Sequence, residues 1–323
     1  MTQAPRHTPR PSQSLPPLKL AYLAPRYWGV WLALGVLRLF VYLPYRLTLA
    51  LGSLVGLLYY LLSTKARRTA RVHMVMCFPE WSVAERRRRL FRHFLHWGRA
   101  SVCIGIAWWG SRAKLKRLVH YRGLKHYEEA LAAGRRVILL APHFVALEMA
   151  GALLSMEHLM VSVYKGPKNA VFDWTMRRAR ARFELVMVER GAGLRSVMRY
   201  MKDGRPFYYL PDQDPGSASF EFVPFFGVPT ATITAMSRIA QMADAVVIPC
   251  FIKQLPAGKG YEIRFKPALE NFPSGDLMQD ATRMSAEIEK GIREMPEQYM
   301  WTYRRFKTRP GNAPSFYGRK KTT

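Results

Sequence analysis

The sequence predicts an α/β domain with a largely parallel sheet, preceded by an apolar segment that anchors it to a membrane. Three observations predict this. After Gly123, short apolar runs alternate with helical patterns of about 10–15 residues, the signature of strands joined by crossover helices. Leu47 to Thr64 is an unbroken stretch of 18 uncharged residues. The 323 residues are 49% hydrophobic and 13% aromatic, enough to bury a core in one large domain or two small ones. That apolar content excludes a disordered basic tail protein. A mean hydropathy of −0.11 excludes a many-spanning transporter.

Residues 1–18 are rich in Pro, Ser and Gln, are expected to be disordered, and lack the organisation of a signal peptide. The anchor is placed at residues 19–72. Eleven uncharged residues run from Tyr27 to Leu37, Arg38 follows, and seven more lead from Leu39 to Tyr45 before Arg46. Each arginine would cost about 2.5–3.5 kcal/mol at a bilayer centre, so this first stretch does not cross independently. Leu47–Thr64 sits at the lower limit for a span, which needs about 20 residues. Trp28, Trp31, Tyr42, Tyr45, Tyr59 and Tyr60 supply rings suited to the interface. Lys65, Arg67, Arg68 and Arg71 follow at once and attract anionic headgroups, at about 1 kcal/mol each. The favoured reading is one span or a helix lying partly in the interface, with the chain beyond it cytoplasmic. The competing reading is a buried pair of core helices.

The globular part runs from residue 73 to 310. Ser82 and Glu85 form a plausible capping box for an Arg-rich helix. A helix ending at Gly134 precedes the strand Arg136–Ala141, and another helix begins near Val145. Strands Met160–Lys165, Leu185–Val188 and Pro206–Pro211 alternate with helices around Asp173–Phe183 and over Leu194–Lys202. Phe222–Pro229 reads as an aromatic loop and Thr232–Met242 as a helix. Val246–Ile252 and Tyr261–Phe265 are strands, and the last helix is Gly275–Met295. Residues 311–323 form a basic tail. Cys77, Cys103 and Cys250 are odd in number and scattered, which excludes a disulfide framework or a zinc spacing and indicates a reducing compartment.

The chemistry concentrates at strand ends. His143 follows the strand Arg136–Ala141, where open α/β sheets bind ligands. Glu148 is five residues on, so the two side chains meet only if His143 lies in the loop and Glu148 in the first helical turn. A carboxylate there would fix the imidazole tautomer and leave the ring as general base for a hydroxyl. Spacing leaves a second reading open, a helix-capping His beside a solvated Glu. Asp212 and Asp214 follow the strand Pro206–Pro211; they read as a structural turn, with a metal-binding Asp-x-Asp of a glycosyltransferase as the rival. Arg177, Arg178, Arg180 and Arg182 share a helix, and Arg190 and Arg195 follow; together they suit phosphate binding. Walker, G-x-G-x-x-G, H-E-x-x-H, C-x-x-C and G-x-S-x-G patterns are missing, which argues against nucleotide-driven and zinc chemistry. No metal or cofactor is expected.

With 50 Lys+Arg against 22 Asp+Glu, the net charge of +28 demands an anionic partner: nucleic acid, anionic lipid or an acidic carrier protein. The apolar N-terminal region favours lipid over nucleic acid.

Several ordered segments then carry a resemblance. HFVALE, GLRSVMRYMKDGRP, LPDQDPG, FVPFFGVPTATIT and QYMWTYRRFKTRP, with PRYWGVWLALGVLRLFVYLPY and CFPEWSVAERRRRL before them, resemble the late (lauroyl/myristoyl) acyltransferases of lipid A biosynthesis. The likeness extends from about Ala24 to Pro310. It implies a glycerolphosphate-acyltransferase-like mixed sheet flanked by helices, held at the bacterial inner membrane with its catalytic domain in the cytoplasm. It also implies acyl transfer from acyl carrier protein to a hydroxyl of a Kdo-bearing lipid A precursor. The family's H-x4-D/E pair falls on His143 and Glu148. Arg195 falls on its phosphate- or oxyanion-binding arginine, and Asp212 and Asp214 on its D-x-D-x-G, with a structural or substrate-positioning role. Arg177 and Arg180 are further substrate-binding candidates. Tyr303 departs from the family pattern W-x-H-R-R-F-K, and Pro142 is a second local variation. The alternatives are acylation of another membrane lipid, such as a glycerophospholipid or phosphatidylinositol mannoside, the metal-dependent glycosyltransferase, and a membrane-attached nucleic-acid binder.

Overall fold

The computed structural model describes residues 15–318 apart from Ser217. Residues 1–14 of the expected disordered N-terminus and residues 319–323 of the basic tail lie outside the described residues. Residues 15–18 carry no regular structure, and the Trp174 indole donates to the Pro16 carbonyl at 2.9 Å.

Four helices open the chain: α1 (Trp28–Leu39), α2 (Tyr45–Leu62), α3 (Thr64–Cys77) and α4 (Val83–Trp109). Ser82 caps α4 by accepting from the Glu85 amide at 3.1 Å, while the Glu85 carboxylate turns outward to Arg88 and Arg89. Next come α5 (Arg112–Lys116), β1 (Val119–Arg122), α6 (Leu124–Ala132), β2 (Arg136–Leu140), α7 (Leu147–Glu157), β3 (Val161–Tyr164), α8 (Ala170–Ala181), β4 (Val186–Glu189), α9 (Leu194–Lys202) and β5 (Phe207–Tyr209). The chain ends with β6 (Phe220–Phe225), β7 (Val228–Ile233), α10 (Ala235–Ala243), β8 (Ala245–Gln254), β9 (Tyr261–Phe265) and α11 (Leu277–Glu294).

Seven strands form one mixed sheet in the order β1-β9-β8-β2-β5-β3-β4, parallel throughout except where β8 meets β9. Val137 to Leu140 of β2 is buried on both faces, as an apolar run at the centre of a covered parallel sheet must be. Strand order sets the layers. The crossovers β2–α7–β3 and β3–α8–β4 progress toward the β4 edge, whereas β4–α9–β5 and β5–α10–β8 return. Right-handed crossovers therefore place α7 and α8 on one face and α9 and α10 on the other. The packing agrees: α4 covers α7 and α8, α1 touches α8, and α9 packs against α10.

Two sequence expectations change here. Phe222–Pro229 belongs to the hairpin β6–β7, whose turn residues Phe226 (φ 50°) and Gly227 (φ 73°) both take positive φ, as a type I′ turn requires. Pro224 and Pro229 face each other in this two-stranded ribbon, where a missing N–H is tolerated, and their presence makes the segment look like a loop. Because β7 continues to Ile233, α10 starts at Ala235 rather than Thr232. Strand β1 is an addition to the expected elements: Val119 and Tyr121 alternate with His120 and Arg122, but over four residues only.

Among the described residues α2 alone is long and apolar enough to cross a membrane, by length and composition. It lies along α4, with glycines at the contact. A Cβ on Gly98 would overlap the backbone of Gly52 and Gly56, so these positions let the two helices approach closely. The opposite side of α2 and much of α1 stay uncovered, with Leu32 71% and Leu62 79% exposed. The reading as a buried core pair is thereby corrected: α1 buries only Leu34, and α2 only Thr48 and its two glycines.

Candidate active site

Strands β2, β3, β4 and β5 run parallel and end on one edge of the sheet, where a cavity of about 610 Å³ opens. Pro142 ends the β2 ladder and puts His143 in the loop ahead of α7. Asp212 follows β5, the immediate neighbour of β2, so the sheet itself brings the two residues together across 69 positions of sequence. Asp212 Oδ1 lies 2.6 Å from His143 Nδ1, and Oδ2 accepts from the His143 amide at 2.7 Å. The same carboxylate therefore fixes both the backbone and the ring.

Asp212 is buried. Burial pushes its carboxyl up, but the facing imidazole and the bonds from His143 and the Tyr299 hydroxyl outweigh that and hold it below the usual carboxylate range. An ionised Asp212 accepts the Nδ1 proton and leaves Nε2 as the basic nitrogen. Nε2 takes a hydrogen bond from the exposed Gln213 amide at 3.1 Å. Tyr303 stands edge-on to the imidazole, with ring centroids 5.5 Å apart. The C-terminal segment locks the loop from behind. The His143 carbonyl accepts from Met300 N at 2.9 Å, and Val145 N donates to the Gln298 carbonyl at 2.8 Å.

The expected His143–Glu148 contact is not formed. Glu148, in the first turn of α7, pairs with Arg180 of α8 and accepts from the Trp108 indole at 2.9 Å. A guanidinium one helix away offers this carboxylate a permanent cation and a planar pair of donors, which the imidazole does not. Burial pushes Glu148 up, and Arg180 and Trp108 bring it back below the usual range. Glu148 and Arg180 both line the cavity with His143. The lining also has an apolar part, with Gly151 and Ala152 of α7, Met176 and Ala179 of α8, and Phe183 and Met187.

Of the remaining candidates, Asp214 also lines the cavity, while Arg177 and Arg195 do not. Asp214 accepts from Thr308 N at 2.7 Å and Thr308 Oγ1 at 3.1 Å, fastening the C-terminal segment to the turn. Both members of Asp-x-Asp thus spend their oxygens on protein donors. Arg177 lies outside the cavity lining, 4.0 Å from Glu189 and over the Tyr164 ring. Arg195 is exposed on α9, also outside the lining. Sequence reading missed Gln213, Tyr299 and Trp108 as partners of the site. It also missed Arg305, buried and donating to the Ala231 carbonyl at 2.6 Å and to Thr232 Oγ1 at 2.9 Å. Tyr299 and Arg305 lie within QYMWTYRRFKTRP, whose aromatic and basic crowding was the available signal.

A carboxylate-held imidazole at the parallel strand ends, beside a cavity with many apolar lining residues, is an arrangement able to take a proton from a hydroxyl. Residues 15–308 match the model of the family described as bacterial lipid A biosynthesis acyltransferase, and the chain belongs to that family. It is 34% identical over 305 residues to the lipid A biosynthesis lauroyltransferase of Escherichia coli K12, covering 94% of this chain and 99% of that protein. It is 32% identical over 297 residues to the palmitoleoyltransferase of the same strain, covering 92% and 96%. To that strain's myristoyltransferase it is 29% identical over 312 residues, covering 96% of both chains.

Proposed function

We propose that the protein transfers a fatty acyl group from acyl carrier protein to a hydroxyl of a Kdo-bearing lipid A precursor, at the cytoplasmic face of the bacterial inner membrane. The observation that carries this reading is His143, held by Asp212 at 2.6 Å and facing an apolar cavity, in a chain of the lipid A acyltransferase family. His143 Nε2 takes the proton of the acceptor hydroxyl once Gln213 yields its place. Asp212 stabilises the imidazolium through Nδ1–H. The hydroxyl oxygen attacks the thioester carbonyl, and the negative charge that develops faces Arg180 in the cavity wall, which Glu148 holds in position. Collapse expels the carrier thiolate, His143 returns the proton to it, and the acyl ester is complete. The apolar wall from Gly151 to Phe183 takes the acyl chain. No covalent acyl-enzyme is required.

The exposed sides of α1 and α2 hold the enzyme beside its lipid acceptor. Arg99 of α4 donates from Nε to Ser53 Oγ, midway along α2, at 2.7 Å. A spanning α2 would draw Arg99 toward the bilayer centre, at about 2.5–3.5 kcal/mol on insertion scales. The pairing supports a helix lying in the interface plane.

The test is acyl transfer in detergent, with acyl carrier protein loaded with a series of chain lengths and Kdo-bearing precursor as acceptor, with and without chelator. Chelator-resistant transfer that disappears in folded His143→Ala is expected. Transfer only to a glycerophospholipid would reassign the acceptor, loss with chelator would restore the metal reading, and transfer surviving in His143→Ala would overturn the mechanism.

A further inference from the structure

Helix α9 carries Arg195, Arg199 and Lys202 at spacings of four and three residues, so the three share one helical face. All three are exposed, whereas Val197 and Met201 on the other side of the helix are buried. No salt bridge of the three is found among the described residues, and Arg199 rests over the Tyr200 ring, 5.3 Å from its centroid. The adjoining helix α10 adds exposed Arg238, and one turn later Met242, 56% exposed. Four exposed cations with an apolar side chain among them thus cover two packed helices.

Position gives this patch its meaning. The N-terminal end of α9 borders the cavity, because Gly193, Leu194 and Val197 line it. The patch also lies on the opposite face of the sheet from α4 and the exposed apolar helices α1 and α2. With the α1–α2 face toward lipid, as proposed above, a partner meeting α9 and α10 arrives from water beside residues that line the cavity.

We infer that the α9–α10 face is the docking surface for the acidic carrier protein that delivers the acyl donor. This rests on the function proposed above. Acidic side chains of the carrier pair with Arg195, Arg199, Lys202 and Arg238, Met242 makes the apolar contact, and the acyl arm enters the cavity past Leu194. Charges of this kind act on encounter rate and salt dependence more than on the chemical step.

The experiment measures binding of dodecanoyl acyl carrier protein to the detergent-solubilised full-length protein by fluorescence anisotropy, at low and high ionic strength. Transfer is measured in parallel from that donor and from dodecanoyl pantetheine, which lacks the carrier. Arg199→Glu/Lys202→Glu is expected to weaken carrier binding at least about tenfold at low salt, and to raise KM for the carrier donor with kcat unchanged. Transfer from the pantetheine donor stays the same, and Arg199→Lys keeps wild-type binding. Unchanged carrier binding in the double variant, or an equal loss with the pantetheine donor, would overturn the docking assignment. So would an equal loss of affinity for a DNA duplex, which would mark the patch as a general polyanion surface. Carrier binding that responds to the charge reversal in a protein that acylates no lipid A precursor would refute the proposed acceptor and leave the docking surface standing.

Discussion

Asp212 and Glu148 are two carboxylates at one cavity, both held ionised against burial, yet they serve different partners. Asp212 sits behind the wall and grips an imidazole, a ring with one nitrogen that donates and one that accepts. Glu148 sits in the wall and grips a guanidinium, which stays charged at every working pH. The first arrangement suits proton transfer and the second a fixed positive charge. The proposed attack of a hydroxyl on a thioester calls for both, and the two carboxylates come from different elements, Asp212 from the loop after β5 and Glu148 from α7.

The sharpest way to break this comparison is Asp212→Asn. The amide keeps the shape but no longer stabilises an imidazolium and favours the wrong tautomer, so kcat should fall about 10³–10⁴-fold. Single-turnover acyl transfer checks it, with circular dichroism to show that the fold persists. A loss below about tenfold would transfer the base-orienting role elsewhere, and Glu148 would again be the candidate.

That outcome bears on what the residues alone disclosed. The position of His143 was legible, because an apolar run ending in Ala-Pro-His marks a strand end whatever the rest of the sheet does. Its partner was not. Glu148 is near in sequence, while Asp212 becomes near only because β5 pairs directly with β2, and periodicity does not report strand order. The helix α9 was read to its observed bounds, Leu194–Lys202, since its apolar stripe is continuous and Gly193 and Gly204 flank it. The β6–β7 hairpin was read as a loop because its two prolines and Gly227 are the residues that usually end strands. The close approach of α2 to α4 was likewise hidden, because Gly52, Gly56 and Gly98 look in sequence like interruptions of apolar stretches.

Glu148→Gln should have a smaller effect of a different kind. Arg180 would lose its counter-charge while about a fifth of each side chain remains exposed, so the expected destabilisation is about 1–3 kcal/mol, below that of a fully buried pair. A loosened Arg180 should lower kcat by about 10–100-fold without altering the shape of the pH–rate profile. Thermal unfolding and a pH–rate profile separate these effects. Both carboxyls titrate in the folded protein below their unfolded values. Their stabilisation is therefore full above the unfolded pKa of about 4 and is lost as pH falls through the lower folded values. Wild type should lose stability with acid in that range, and each amide variant should show a shallower acid dependence. A shifted pH–rate profile in Glu148→Gln would mean that Glu148 couples to the imidazole after all.

Gln213→Ala gives the smallest expected change and the finest test of the contrast. Its amide occupies His143 Nε2 at 3.1 Å from an exposed position, which in the proposed mechanism is the place the acceptor hydroxyl takes. Arg180 shares the cavity wall but is tied to Glu148 on one side, with its charge available on the other. Removing Gln213 frees a nitrogen that solvent already reaches, since the His143 side chain is 14% exposed. One neutral hydrogen bond is exchanged for one to water, worth about 0.5–1.5 kcal/mol at most, so kcat/KM should change by no more than about tenfold and in either direction. Steady-state transfer under subsaturating acceptor measures it. A fall of a hundredfold or more would show that the Gln213 amide assists the reacting atoms, and the imidazole would then work as one member of a pair.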